Sequence, residues 1–363
     1  MVEAGKVPFL KPRRFTPYVI INPYAYRNYY EIPEDENSTL ERMLSIAKDL
    51  GFEGIGVYGL EGWMAENRLP LILDLIEDYG FEALIYINWL DLTRNVTDPN
   101  CWDQTGFPYN QTQVNAFLNY VGNISLIARD YVCVKGYVVQ YPHWSENLQN
   151  LTEWWFHVVN STEYKENLQR IINRIHSIDP EREIYLSNDM IEHHFVSDFY
   201  ESSRVPYDFA NITGFGFSCY STKLNRYLDD LDYYYKFFKD MSKKYASGKV
   251  VFSEWGFKTN PYGNIEGRVR DEKEKAEWIK KVLEHTKPWD CPVCYFMLHD
   301  FPKEDNNDWG IITDNLTLKP SAYAFKEKLN ANKEWYEDPL FFGIVLFLII
   351  LGIFAFYLVY KSF

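Results

Sequence analysis

A single rhythm runs through most of this 363-residue chain, in which a short apolar run gives way to an amphipathic stretch and then returns. Tyr18-Val19-Ile20-Ile21 reads as a buried strand stopped by Asn22-Pro23. After it, apolar residues at 40, 43, 44, 46, 47 and 50 keep helical spacing until Gly51 ends the run. The unit recurs as strand 52–58 with helix 69–79, strand 81–89 with helix 114–131, and strand 136–140 with helix 167–178. It continues as strand 183–187 with a helix within 191–202, strand 212–217 with helix 224–245, strand 250–252 with helix 273–286, and strand 293–298 with helix 323–329. Eight such units are what a closed (β/α)8 barrel needs, and right-handed crossovers make closure the default. An open doubly wound sheet wants a Gly-rich phosphate loop after its first strand, which is absent. The expected fold is α/β, a (β/α)8 TIM barrel over 17–332 behind a polar leader, 1–16.

The C-terminal end adds a second expectation. Residues 340–360, LFFGIVLFLIILGIFAFYLVY, carry no charge. That is long enough to cross a ~30 Å hydrocarbon core as one helix. A juxtamembrane linker, 333–339, holds Glu337 and Asp338, while Lys361 lies in the tail 361–363, so the charge bias puts the tail in the cytoplasm. Asn37, Asn95, Asn110, Asn123, Asn150, Asn160, Asn211 and Asn315 each head an Asn-x-Ser/Thr sequon, against about three expected by chance. They favour a single-pass protein with its globular part outside the cell, although Asn211 is read as lying in a strand and going unused. Residues 1–14 are polar and broken by Pro, unlike a secretory signal. Either the true start lies upstream, or the protein is tail-anchored and faces the cytoplasm; the exterior is the preferred reading.

Composition removes several function classes. A net charge of −14 argues against nucleic acid, whose binders need a basic footprint. Cys101, Cys133, Cys219, Cys291 and Cys294 are odd in number and scattered, so no disulfide framework is expected. Cys291-Pro292-Val293-Cys294 has redox spacing but opens a strand. No HxH or HExxH run marks a metal site, and no organic cofactor is implied. Gly-x-Ser-x-Gly is absent, which removes the nucleophile-elbow hydrolases. Aromatic residues make up 18% of the chain, with 11 Trp and 29 Tyr, enough to fill a core and still line a groove for sugar rings.

Catalytic barrels place their chemistry at the C-terminal strand ends. Those ends carry Asn22, Tyr58, Trp89, Asp91, Gln140, Tyr141, Trp144, Glu146, Asn188, Asp189, Tyr220, Glu254, Trp255, His299 and Asp300. Carboxylates, amides and rings are the inventory for gripping hydroxyls and stacking on sugars. Glu254 stands out, because the apolar run Val250-Val251-Phe252 leads through Ser253 into it, and a lone carboxylate at such a place is costly unless paired or used.

Val251-Phe252-Ser253-Glu254-Trp255-Gly256 resembles the seventh-strand signature of the clan A glycoside hydrolases, in which the Glu is the nucleophile of a retaining mechanism. Tyr295-Phe296-Met297-Leu298-His299-Asp300-Phe301, Trp309-Gly310-Ile311-Ile312 and Leu318-Lys319-Pro320-Ser321-Ala322-Tyr323 are similar to the eighth strand and closing segment of those enzymes. Tyr220 matches the tyrosine that hydrogen-bonds their nucleophile. The resemblance implies glycosidic cleavage of β-linked glycans. Two positions depart from it: Gln140-Tyr141-Pro142 stands where the family has Asn and its acid/base Glu, and Ile55-Gly56-Val57 stands where it has an Arg.

A retaining pair needs two carboxyl groups about 5–5.5 Å apart. Glu146, on the same loop, is the leading candidate for general acid, with Asp91 and Asp189 as others; a spacing of about 6.5–9.5 Å would instead mean inversion with Glu254 as base. The expected catalytic residues are Glu254, Glu146 and Tyr220, and the expected glycan-binding residues are Trp89, Tyr141, Trp144, Asn188, Trp255, His299 and Trp309. A barrel that has lost catalysis and binds carbohydrate, or serves as a surface scaffold, is the alternative.

Overall fold

The structure, a computed structural model, describes residues 15–22, 36–60, 64, 68–88, 111–140, 162–190, 208–220, 224–259, 268–300, 309–313 and 315–331. Eight parallel strands close into a barrel: β1 (Thr16–Ile21), β2 (Gly54–Val57), β3 (Glu82–Asn88), β4 (Val134–Gln140), β5 (Glu183–Met190), β6 (Gly214–Cys219), β7 (Lys249–Trp255) and β10 (Pro292–Tyr295). β8 (Lys258–Thr259) and β9 (Arg268–Val269) form a separate two-stranded parallel pair after β7. Helices α1 (Glu36–Leu50), α2 (Leu69–Asp78), α3 (Gln111–Ala128), α4 (Thr162–Ile178), α5 (Tyr227–Tyr245), α6 (Glu272–Thr286) and α7 (Pro320–Asn330) follow the strands in turn. β1 closes on β10 through the register Thr16↔Pro292 to Val19↔Tyr295. The strand and helix rhythm of the sequence is therefore the rhythm of the molecule. The helix expected within 191–202 and the apolar stretch 340–360 lie outside the described residues, and no helix among those described is long and apolar enough to cross a membrane.

Period-two alternation sorts the strand residues into two apolar clusters. Outward side chains such as Val19, Ile55, Ile85, Val139, Phe217 and Phe252 join the helices in the large outer core. Inward, Tyr18, Ile20, Leu84, Tyr86, Val138, Tyr185, Val251, Cys294 and Met297 fill the barrel lumen. Burying each such side chain stabilises the fold by about 1.5–3 kcal/mol.

Lumen space is shared between bulky and small strands. β1 and β3 bring Tyr18, Ile20, Leu84 and Tyr86, whereas the inward positions of β2 and β6 are Gly54, Gly56, Gly214 and Gly216. A Cβ on Gly54 would sit 2.2 Å from the Tyr18 ring, and one on Gly56 would sit 2.9 Å from that of Tyr86. The Gly56 that departs from the family's strand-two pattern thus leaves room for an aromatic ring.

Local chemistry fixes the helix ends. Asp271 caps α6 by accepting from Glu274 N at 2.8 Å, and Glu274 accepts in return from Arg270 N at 2.7 Å. Pro320 opens α7, where its missing N–H costs nothing. Asn211, expected inside a strand, instead sits exposed in the turn before β6 at φ 66, with its amide donating to Asn173 Oδ1. An Asn tolerates that left-handed backbone better than most residues.

Candidate active site

The site grows from an irregularity in β7. Phe217 pairs with Phe252 and Cys219 with Trp255, so β7 spends three residue steps where β6 spends two. β10 sees the same extra residue, with Val293 opposite Phe252 and Tyr295 opposite Trp255. A bulge of this kind re-aims side chains. Strict alternation from Phe252 would send Glu254 outward; with the bulge, Phe252 and Trp255 both face the outer core, and Ser253 and Glu254 meet groups of the lumen.

Hydroxyls brace the bulge from below. Tyr86 donates its hydroxyl to Ser253 O, and Ser253 Oγ contacts Ser187 Oγ and, at 3.3 Å, Ser218 Oγ. Above them Glu254 is 3% exposed. Gln140 Nε2 donates to Glu254 Oε1, and Tyr220 O–H donates to Oε2 at 2.8 Å. Both oxygens accept, which is the pattern of an ionised carboxylate. Burying that charge costs several kcal/mol, and each charge-assisted hydrogen bond returns about 1.5–3 kcal/mol. Its negative charge also reaches Tyr86, whose phenol is held well above its ordinary value first by burial, then by Cys294 and Glu254.

Gln140 is the residue that sequence reasoning left off the site. Its side chain is 2% exposed, and its Oε1 has no hydrogen-bond partner among the described residues. Turning the amide over would set two oxygens against each other at Glu254, so the donor orientation is the one chemistry requires. An orphaned buried acceptor costs about 1–3 kcal/mol, which a ligand O–H or N–H can repay.

Half-buried rings stand around the carboxylate. Tyr220 meets Trp309 edge-on at 5.2 Å between ring centroids, Phe296 lies 5.9 Å from Trp309, and Tyr58 lies 6.0 Å from Phe296. Trp309 is fixed through its backbone: Lys275, fully buried, donates to the carbonyls of Trp309 at 3.0 Å and Gly310 at 2.7 Å, and Tyr295 O–H also reaches Trp309 O. Burial pulls the Lys275 ammonium down to about 8, against the pull of Glu272. Lys319 pairs with Asp300, which accepts from Gly310 N at 2.9 Å.

Of the expected residues, the structure brings together Glu254, Tyr220 and Trp309. Trp255, expected as a sugar platform, is fully buried on the helix side of the barrel, 4.9 Å from Tyr295 and 6.0 Å from Phe325. The extra residue in β7 turns it there. His299, expected to bind glycan, is 1% exposed, with Nδ1 at 3.1 Å from Asp300 O. Burial drags its pKa from 6.5 to about 4, offset in part by the backbones of Asp300 and Asn22. Both side chains are buried, as are those of Glu254 and Gln140. Asn188 lies in β5 opposite Phe217, and its side chain lies outside the described residues. Trp89, Tyr141, Trp144, Glu146 and Asp91 lie outside the described residues, as does the Asp189 side chain.

Cys291 belongs to the outer core and Cys294 to the lumen, so the two thiols of the CxxC run sit on opposite faces of one strand. Both are free and buried, and burial pushes Cys291 up to about 12. Among the described residues, no three His, Cys, Asp or Glu side chains converge on a point that could hold a metal ion.

No protein-family model matches the chain, and no curated protein does. Solved structures do match, at low identity. The chain is 13% identical to a GH5_18 protein from Streptomyces cattleya solved with GlcNAc, with a TM-score of 0.59 over 89% of this chain and 82% of that one. It is 15% identical to the xylanase Xyn10A from Cellvibrio japonicus, at a TM-score of 0.55 over 88% and 98%. A GH10 endoxylanase from a sugarcane soil metagenome is 10% identical, with a TM-score of 0.52 over 86% and 97%. The chain thus has the (β/α)8 barrel fold of the clan A glycoside hydrolases.

Proposed function

We propose that this protein is a membrane-anchored glycosidase that attacks O-glycosidic bonds of β-linked glycans with Glu254 as nucleophile. The observation that carries the reading is the placement of Glu254, which a bulge turns to the C-terminal mouth of a closed barrel, where Tyr220 and Gln140 orient both of its oxygens. Two donors on a carboxylate keep it ionised and aimed, as a nucleophile must be. Tyr58, Tyr220, Phe296 and Trp309 supply ring faces and edges around it, suited to the apolar C–H surface of a pyranose.

A glycan-hydrolysis screen of the protein beside its Glu254→Gln variant tests this. Turnover in the first and a loss of about 100-fold or more in the second is expected; equal turnover by the two removes Glu254 from the chemistry. The second reading, a barrel that binds carbohydrate without cleaving it, draws on one observation: an amide, Gln140, touches the nucleophile where an acid is wanted. Saturable glycan binding by both forms, with no product from either, would favour it.

Anchoring rests on the uncharged run 340–360 and the charges that flank it. An exterior globular part rests on the sequons, of which Asn123, Asn211 and Asn315 are exposed. Protease digestion of sealed vesicles tests both: protection of the barrel from the cytoplasmic side supports this topology, and digestion from that side reverses it.

A further inference from the structure

We propose that Lys275 and Tyr295 are positioning residues of the site: together they fix the backbone of Trp309, and so set where its ring stands beside Tyr220 and how tightly a sugar lying on it is held. The inference rests on the reading of Trp309 and its neighbouring rings as a glycan-binding wall. Both side chains act from the interior. Lys275 is carried by α6 and is 0% exposed, and Tyr295 ends β10 with its ring in the outer core.

Contacts from three directions converge on one short segment. From α6, Lys275 Nζ donates to Trp309 O at 3.0 Å and to Gly310 O at 2.7 Å, and from β10 the Tyr295 hydroxyl donates to Trp309 O at 3.1 Å. Just past β10, Asp300 Oδ1 accepts from Gly310 N at 2.9 Å, and Asp300 is itself paired with Lys319. Glu272 ties the two lysines together: it accepts from Lys275 at 3.2 Å, lies 3.8 Å from Lys319, and takes the Ser321 hydroxyl at 2.7 Å. Two glycines let the segment press close. A Cβ on Gly310 would lie 2.3 Å from Asp300 N, and one on Gly256 would lie 3.3 Å from the Trp309 ring.

The ring carries this forward to the site. Trp309 meets Tyr220 edge-on at 5.2 Å between centroids, and Tyr220 O–H donates to Glu254 Oε2 at 2.8 Å. Burying an ammonium costs several kcal/mol, which the pairing of Lys275 with Glu272 and two carbonyls offsets. What the buried cation secures is the place of two peptide units, and through them the place of one indole. A group displaced by about 1 Å can cost about 100-fold. Here the loss falls on binding, because a ring under the sugar touches it in ground and transition states alike, which raises KM and leaves kcat.

The experiment labels the full chain with 5-fluorotryptophan and follows the fluorine resonance of Trp309, assigned by its loss in Trp309→Phe. It compares the wild type with Lys275→Met, Tyr295→Phe and Lys249→Met. Lys249, paired with Glu183 at the start of β7, is the control for a lysine removed at the opposite end of the barrel. KM and kcat are measured for each on the 4-nitrophenyl β-glycosides of glucose, xylose, mannose and N-acetylglucosamine. The Trp309 resonance is expected to move or broaden in Lys275→Met and Tyr295→Phe but not in Lys249→Met, with KM raised about tenfold and kcat held within about twofold. Tyr295→Phe keeps the packed ring, so it carries the test alone should Lys275→Met fail to fold. A Trp309 resonance unmoved in both variants, an equal movement in Lys249→Met, or a moved resonance with KM unchanged overturns the inference and leaves the glycosidase reading standing. No turnover of any glycoside by the wild type overturns the glycosidase reading instead; Kd for the same glycosides, read from the Trp309 resonance, then replaces KM with the same tenfold loss expected, and no binding of any of them overturns both.

Discussion

Gln140 and Tyr220 each donate a hydrogen bond to Glu254. Replacing Tyr220 with Phe removes the bond to Oε2 while keeping the ring that packs on Trp309. A charge-assisted hydrogen bond of about 1.5–3 kcal/mol corresponds to roughly a tenfold to hundredfold fall in turnover, with little change in thermal midpoint. Steady-state kinetics beside a melting curve checks that; an unchanged rate would detach Tyr220 from the chemistry. His299 acts on stability rather than on a sugar. Unfolded, its imidazole takes a proton near 6.5; folded, it does so only near 4, so the unfolded chain binds the extra proton between these values. Stability is then lost as pH falls, by about 2 kcal/mol between pH 7 and pH 5. Denaturant midpoints at the two pH values, for the wild type and for His299→Gln, should show a drop that the variant lacks.

At the scale of elements, the barrel depends on where it can spare a side chain. A Cβ on Gly214 would lie 2.0 Å from the Lys249 carbonyl oxygen, which is backbone, whereas one on Gly54 meets the Tyr18 ring. Gly214→Ala should therefore destabilise by about 3 kcal/mol and loosen the β6–β7 pairing on which the bulge rests, and Gly54→Ala by less if the ring can swing. Chemical denaturation ranks them; the reverse order contradicts this account of the lumen. Lys275→Met should loosen the Trp309 segment by removing the Lys275 donor from Gly310 O and leaving Trp309 O with Tyr295 O–H, at a cost of about 1–3 kcal/mol.

The same scale separates what the sequence made legible from what it hid. Helices and strands were readable because their apolar periods, 3.6 and 2, are local. Apolar residues from Leu40 to Leu50 and from Tyr18 to Ile21 mark α1 and β1 without any knowledge of their partners. The bulge at Ser253 was not readable, since an extra residue leaves the run Val250 to Trp255 equally apolar while reversing the faces of Glu254 and Trp255. Gln140 was visible as a departure from a pattern, yet its contact with Glu254 spans 114 positions and exists only after the barrel closes. Trp255 and His299 stand at strand ends, where sites lie, and packing in the closed barrel buries both side chains, which local sequence does not show.

On the scale of the whole molecule, a closed barrel abolishes sheet edges and gathers its C-terminal strand ends at one mouth, so any site built there faces a single direction. If residues 340–360 span a bilayer, the protein should stay in the membrane fraction through alkaline carbonate washing and leave it only with detergent. If the barrel faces the exterior, enzymatic removal of N-linked glycans should lower its apparent mass; a protein that washes off and shows no mass change would contradict both. As the proposed nucleophile, Glu254 would form a covalent bond to the sugar. Dinitrophenyl 2-deoxy-2-fluoro-β-glycosides form such a bond and break it slowly, so intact-mass measurement after incubation, followed by peptide mapping, reads the claim directly. One fluorosugar per chain, carried on the peptide that holds Glu254 and absent from Glu254→Gln, is the predicted result; a label on any other side chain, or none on the wild-type protein, would contradict it.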